Sequence, residues 1–281
     1  MKAKNQKKYE LKKLMKNLNV AVCGASGKMG RALVNCIRND GELKLTGALE
    51  LQDNPHLHQD AGLLLGFQSG INISSDIIAV ARGSDILIDF TRPEGTLLHL
   101  DACCSSNTAM VIGTTGLTDE EKLVIKKASK TIPIVMAPNM SVGVNVLMRL
   151  LNTAAVALDS GYDIEIVEAH HKHKVDAPSG TALGMGEAIA DALGWDLADC
   201  AVYAREGYTG ERTDNTIGFS TVRAGDIVGE HTAIFAGVGE RIEISHKASD
   251  RSNFAVGAIR AAKFLSGKQS GLFDMQNVLG G

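Results

Sequence analysis

Apolar and polar positions change their period along the chain, and the change divides it in two. An apolar run from Leu18 to Cys23 predicts a strand, and Met29, Leu33 and Ile37, spaced i, i+4, i+8, predict one face of a helix behind it. LKLTGALE at 43–50, DILIDF at 85–90, TAMVIGTT at 108–115 and IPIVMAPN at 132–139 predict further strands. Pro93 opens one of the helices between them, and Thr118 with Glu121 makes the capping box of another. Strands alternating with helices imply an α/β fold built on a doubly wound parallel sheet. After Asn139 the texture differs. A long helix over Ser141 to Leu158, a strand at 162–170 and a helix at 181–194 ended by Gly194 lead into a β-rich stretch from Thr216 to Ser249. Its short alternating runs, broken by glycine, predict a second α+β domain with an antiparallel or mixed sheet. A last helix, Ser252 to Leu265, is expected to pack back on the first domain. The expected division is 17–140 completed by 251–281, with 141–250 as the second domain and a separate leader at 1–16.

Composition narrows the functional classes. With 281 residues, 44% of them hydrophobic, one large or two modest domains can bury a full core. Aromatic residues make up only 4%, too few for base-stacking platforms. No apolar run approaches the roughly 20 residues needed to span a bilayer. The net charge of −3 gives no electrostatic reason for a nucleic-acid or membrane partner. Residues 1–16 hold seven lysines against Glu10, a share of +6 that leaves −9 to residues 17–281. This leader lacks the apolar core of a secretion signal and reads as a solvated, disordered segment, with Met15 as an alternative start. The cysteines Cys23, Cys36, Cys103, Cys104 and Cys200 are odd in number and form no CxxC, which fits reduced thiols in a cytoplasm. Adjacent Cys103 and Cys104 read as fillers on a helix rather than as nucleophiles.

Three places carry candidate chemistry. Gly24, Gly27 and Gly30 form a GxxGxxG turn between the first strand and the first helix, where backbone can approach a pyrophosphate at a helix N-terminus. Glu50, twenty positions after Gly30, closes the second strand and suits a ribose diol. Gly113, Thr114 and Thr115, and Ala137, Pro138, Asn139 and Met140, follow two later strands. Ligands of such sheets bind at the strands' carboxyl ends, yet both segments also read as ordinary strand-to-helix loops. The third place is EAHHKHKVDAPSGTA at 168–182. On an extended chain His171 and His173 share one face, and His170, Lys172 and Lys174 the other. A zinc site is disfavoured, because no second ligand pair lies close and the interleaved lysines repel a cation. A solvated basic loop is the plain alternative. Against it stands PSGT, where Pro178 stiffens a turn and Gly180 and Thr181 begin a helix. Lysines, histidines and a helix N-terminus make a pocket for a small carboxylate, and histidine can move a proton there.

Together with GASGKMG, IDFTRPEGTL, VIGTTG, APNMSVGVN and AREGYTGER, this stretch closely resembles the 4-hydroxy-tetrahydrodipicolinate reductase family of the diaminopimelate/lysine pathway. The resemblance runs from about Val20 to the C-terminus. It implies a Rossmann-type domain and a homotetramer that pairs through the sheets of the second domain. It also implies hydride transfer from NADH or NADPH to a cyclic dicarboxylate, without a metal. By the same resemblance His170 is the acid/base, with Lys174 as proton donor beside it, and His171, Gly180 and Thr181 contact the substrate carboxylates. Gly24, Ala25, Ser26, Gly27, Lys28, Met29, Glu50, Gly113 to Thr115 and Ala137 to Met140 are the nucleotide contacts. Leu51 stands where members that take NADPH readily often carry a cation, so NADH is expected to serve at least as well. Two rivals share the first domain. A semialdehyde dehydrogenase needs a cysteine placed near a base, and a dinucleotide sensor leaves HHKHK and PSGT without a role.

Overall fold

The computed structural model describes residues 17–280, and the expectations for the leader and for Met15 fall outside them. The described residues form two compact units, one of those up to Ser141 with those from Phe254 onward, the other Val142–Asn253.

In the first unit β1 (Leu18–Cys23), β2 (Leu43–Leu49), β3 (Ile73–Ser74), β4 (Ile86–Asp89), β5 (Ala109–Ile112) and β6 (Pro133–Met136) are all parallel. Between them lie α1 (Lys28–Arg38), α2 (Ile77–Arg82), α3 (Pro93–Ser106) and α4 (Asp119–Ala128). The strand order, completed by β12 near the C-terminus, is β12-β6-β5-β4-β1-β2-β3. The chain moves outward from β1 through β2 and β3, then returns to β4 on the other side. That reversal puts a crevice at the carboxyl ends of β1 and β4. Every residue of β4 and β5 is buried, as strands covered on both faces require. The expected capping box of α4 is present: Glu121 N donates to Thr118 Oγ1 at 3.2 Å, and Thr118 N donates to Glu121 Oε2 at 2.7 Å.

In the second unit α5 (Val142–Ala157), β7 (Asp163–His170) and α6 (Gly180–Leu193) are followed by α7 (Leu197–Cys200) and β8 (Ala201–Val202). Then come β9 (Ile217–Arg223), β10 (Gly229–Gly237) and β11 (Glu240–Ala248). The sheet is mixed, in the order β11-β10-β7-β9-β8, with β10 antiparallel to β7 and β11 and β9 parallel to β7. Burial alternates along β7 and β10, so one face is core and the other is not. Ile164, Ile166, Phe219, Ala233 and Phe235 pack with Leu147, Leu151, Met185 and Ile189 of α5 and α6. Phe235 is fully buried, and truncating such a ring to alanine costs about 3–5 kcal/mol.

α8 (Ser252–Leu265) buries Ala255, Gly257, Ala258, Ala261 and Ala262 in the first unit from Phe254 on, followed by β12 (Gly271–Phe273) and α9 (Met275–Val278). A side chain at Gly257 would strike the carbonyl oxygen of Met140, so this helix lies directly on the backbone after β6. Among the described residues no helix is long and apolar enough to cross a membrane.

Candidate active site

The glycine turn takes the form its spacing implies. Gly24 has φ +64°, open to glycine at little cost, and Gly27 N donates to its carbonyl at 3.0 Å. A Cβ on Gly30 would lie 2.0 Å from the Gly24 oxygen and 2.6 Å from Ala25 Cα, so only glycine lets α1 start so close to the strand. Ala25 is buried, Lys28 is exposed, and no side chain caps α1 at Gly27. The first turn of a helix carries N–H groups without intrahelical partners, which favours an anion there. Glu50 reaches over this turn. Its Oε1 accepts from Ser26 N at 2.8 Å and Ser26 Oγ at 2.6 Å, while Oε2 has no partner among the described residues.

Gly113 follows β5 against the Phe90 ring, which any side chain there would overlap. Thr114 is buried, its hydroxyl 2.7 Å from that of Thr96, whereas Thr115 is exposed. After β6, Ala137 and Met140 are buried, Pro138 is exposed, and Asn139 Oδ1 accepts from Ser141 N at 2.9 Å.

Cys23 and Asp89, the last residues of β1 and β4, and His99 of α3 bring three ligand-type atoms within 4.8 Å of one another, all buried. His99 Nδ1 is hydrogen-bonded to Asp89 Oδ2 at 2.8 Å, and burial pushes the Cys23 thiol well up, so it keeps its proton. Burial raises Cys103, Cys104 and Cys200 as well, which leaves none of these four as a ready nucleophile.

In the second unit the histidine stretch departs from the extended geometry expected of it. β7 ends at His170, and the chain then turns: Lys174 N donates to His171 O at 3.1 Å and Lys172 N to Gly225 O at 3.2 Å. The two-faced alternation of 170–174 therefore does not exist. His171 is half-buried with a ring centroid 6.2 Å from that of His173, and Lys174 Nζ pairs with Asp176 Oδ1 at 2.8 Å. That hydrogen bond from Lys174 holds the Asp176 carboxyl below its usual range. Ala177–Pro178 is cis, and α6 begins at Gly180 and Thr181 with Ser179 as its cap, Oγ accepting from Ala182 N at 3.2 Å.

His170 is 9% exposed, and its Nδ1 lies 2.6 Å from Glu168 Oε2. Arg223 grips the same carboxylate with both terminal guanidinium nitrogens, Nη1 to Oε2 at 2.9 Å and Nη2 to Oε1 at 2.8 Å. Burial alone would raise Glu168, but Arg223, His170 and the Ser179 N–H together hold it below the carboxylate range. The His231 ring stands edge-on to His170, centroids 5.1 Å apart, and its Nε2 lies 2.9 Å from Ser179 Oγ. Burial, then His170, pushes His231 down to about 4. Sequence reasoning passed over Glu168, Arg223, Ser179 and His231. One signal was there: Glu168 and His170, two apart on a strand, must share a face.

Comparison with known proteins bears on both units. Family models described as the N-terminus and the C-terminus of dihydrodipicolinate reductase match residues 18–140 and 143–279. A 4-hydroxy-tetrahydrodipicolinate reductase of Nitrosomonas eutropha is 61% identical over 263 residues, 94% of this chain and 98% of its own. One of Cupriavidus necator is also 61% identical, over 94% of this chain and 99% of its own. Among solved structures, a dipicolinate-bound dihydrodipicolinate reductase from Paenisporosarcina superposes with a TM-score of 0.74 at 24% identity, covering 92% of this chain and 98% of that one. An aspartate semialdehyde dehydrogenase of Vibrio cholerae reaches a TM-score of 0.53 at 10% identity, covering 90% of this chain and 99% of that one. At those identities the likeness is of fold alone.

Proposed function

The chain belongs to the dihydrodipicolinate reductase family, and from that premise we propose that it is a nicotinamide-dependent 4-hydroxy-tetrahydrodipicolinate reductase. It reduces (2S,4S)-4-hydroxy-2,3,4,5-tetrahydrodipicolinate to (S)-2,3,4,5-tetrahydrodipicolinate with loss of water, in diaminopimelate and lysine biosynthesis. What carries the reading is that relatives of this name match both units, in order, at 61% identity.

In this reading 17–140 with 251–281 binds the nucleotide, and 141–250 binds substrate. The nicotinamide supplies a hydride when bound. The first unit fits such a group, since Gly24, Gly27 and Gly30 keep side chains away from the start of α1 and Glu50 Oε2 is open to a ribose hydroxyl. Gly24 to Met29 take the pyrophosphate side, and Gly113 to Thr115 with Ala137 to Met140 take the nicotinamide and its ribose. In the second unit His171, Gly180 and Thr181 hold the substrate carboxylates at the N-terminus of α6. Hydride addition to a conjugated carbon–nitrogen system builds negative charge. The Lys174 ammonium, released from Asp176, stabilises that charge, and His170 delivers or takes the proton. No step requires a metal.

Leu51 beside Glu50 is 73% exposed and offers nothing to a 2′-phosphate, which favours NADH at least equally with NADPH. The sheet face away from α5 and α6, carrying Val167, Val222, Thr232 and Ile234, suits pairing with other copies into a homotetramer. A cytoplasmic location accords with a biosynthetic enzyme of this kind. Incubation with freshly made substrate and NADH or NADPH tests the activity. The expected result is substrate-dependent oxidation of the dinucleotide. Binding of dinucleotide with no turnover would leave a sensor in its place.

A further inference from the structure

The Glu168 carboxylate is 1% exposed, yet it is crowded with donors. Oε2 accepts from Arg223 Nη1 at 2.9 Å and lies 2.6 Å from His170 Nδ1. Oε1 accepts from Arg223 Nη2 at 2.8 Å, Ser179 N at 3.1 Å and Thr221 Oγ1 at 3.3 Å. Guanidinium and backbone N–H groups can only donate, so the carboxylate is held ionised and has no proton to give. The hydrogen between Glu168 and His170 must then belong to Nδ1. Nε2 is left as the atom that gains or loses a proton.

Two neighbours keep that atom open. Gly229, paired beside β7 at the start of β10, has no side chain, and a Cβ there would come within 3.1 Å of His170 Nε2. His231, the other ring in contact, has its Nε2 engaged with Ser179 Oγ and stays neutral near pH 7.

We propose that Glu168, clamped by Arg223, is the positioning residue that fixes His170 in its Nδ1–H tautomer, with Gly229 leaving Nε2 clear for proton transfer. This rests on the reading of His170 as the acid/base. It makes a sharp statement about one substitution. In Glu168→Gln, an amide NH₂ at the Oε1 position would face the Arg223, Ser179 and Thr221 donors. At the Oε2 position it faces Arg223 and a histidine that can change tautomer. The second arrangement costs less, so the amide donates to Nδ1 and the proton moves to Nε2.

The test is side-chain ¹⁵N NMR of the full chain labelled in histidine, above the histidine titration and without substrate, with the His170 signals assigned by their absence in His170→Gln. The parent should show a protonated Nδ1 and a bare Nε2. A bare Nδ1, or an equal mixture, overturns the proposal without any need for a foldable variant. Glu168→Gln should show the reverse tautomer and lose at least about 10²-fold in kcat, as misplacing a catalytic proton does, with KM and NADH affinity near the parent. An unchanged tautomer and kcat in a folded Glu168→Gln also overturns it. If His170→Gln keeps its turnover, the acid/base reading fails first and the positioning role falls with it. If that variant loses turnover while the parent shows a bare Nδ1, only the positioning role falls.

Discussion

Glu50 and Glu168 are both acidic residues at the carboxyl-terminal end of a strand, and their surroundings suit them to different work. Glu50, partly exposed, spends one oxygen on Ser26 and keeps the other. Glu168 is buried, with both oxygens filled by the protein's own donors. A carboxylate with spare acceptor capacity can meet a ligand that comes and goes. A saturated one meets nothing new, but it can hold a neighbouring ring in one protonation pattern for as long as the fold lasts. In the function proposed above, the contrast would separate binding, on the glycine-turn side, from proton handling, at the end of β7.

Substitutions on either side should keep that separation. After His170, Lys174→Ala is expected to have the largest effect, about 10²-fold or more in kcat if its charge serves the substrate ring as proposed, with NADH affinity unchanged by calorimetry. A comparable loss of NADH affinity would break the contrast. Next in size is acid sensitivity of the second unit. His231 sits at about 4 in the fold against 6.5 in the unfolded chain, so the unfolded state takes up its proton first. Stability should fall as pH drops from about 6.5 towards 4, by up to about 3 kcal/mol from this group. Urea unfolding across that range should give a shallower slope for His231→Asn. The half-buried His246, lowered by burial too, keeps some slope in both proteins. An identical slope in the variant would remove His231 as a cause. Thr181→Val should raise the substrate KM about 5- to 10-fold and spare kcat, the signature of a contact made equally before and during reaction. A fall in kcat at constant KM would move Thr181 to the proton-handling side. Smallest of all, a chain started at Met15 should match the full chain in activity and in assembly. Loss of either would give the lysine leader a function.

The two regions also differ in how far they could be read from sequence. The parallel core was legible because strands buried on both faces are runs of apolar residues, as in ILID and AMVI. The glycine turn was legible because close backbone approach leaves a residue type behind. The segment from 51 to 84 was not. β3 and α2 are too short to show a period, and the loop before them is organised by Asp60, whose carboxylate accepts from Gly62 N, Gly70 N and both donors of Ser69 at 2.7–2.8 Å. At 170–174 the alternation failed because the strand stops at His170. Apart from His170, the donors that saturate Glu168 lie 11, 53 and 55 residues away in sequence, at Ser179, Thr221 and Arg223, beyond the reach of any local pattern. The family resemblance pointed to His170; only the mixed sheet reveals what holds it.

Turnover and NADH binding of His170→Gln, measured on the same preparation, test the central claim most directly. Glutamine keeps size and polarity but cannot cycle a proton near neutral pH. The account predicts a kcat lower by about 10²- to 10⁴-fold, with calorimetric NADH affinity equal to the parent's. Turnover near the parent level would contradict it and leave His170 with a structural role only.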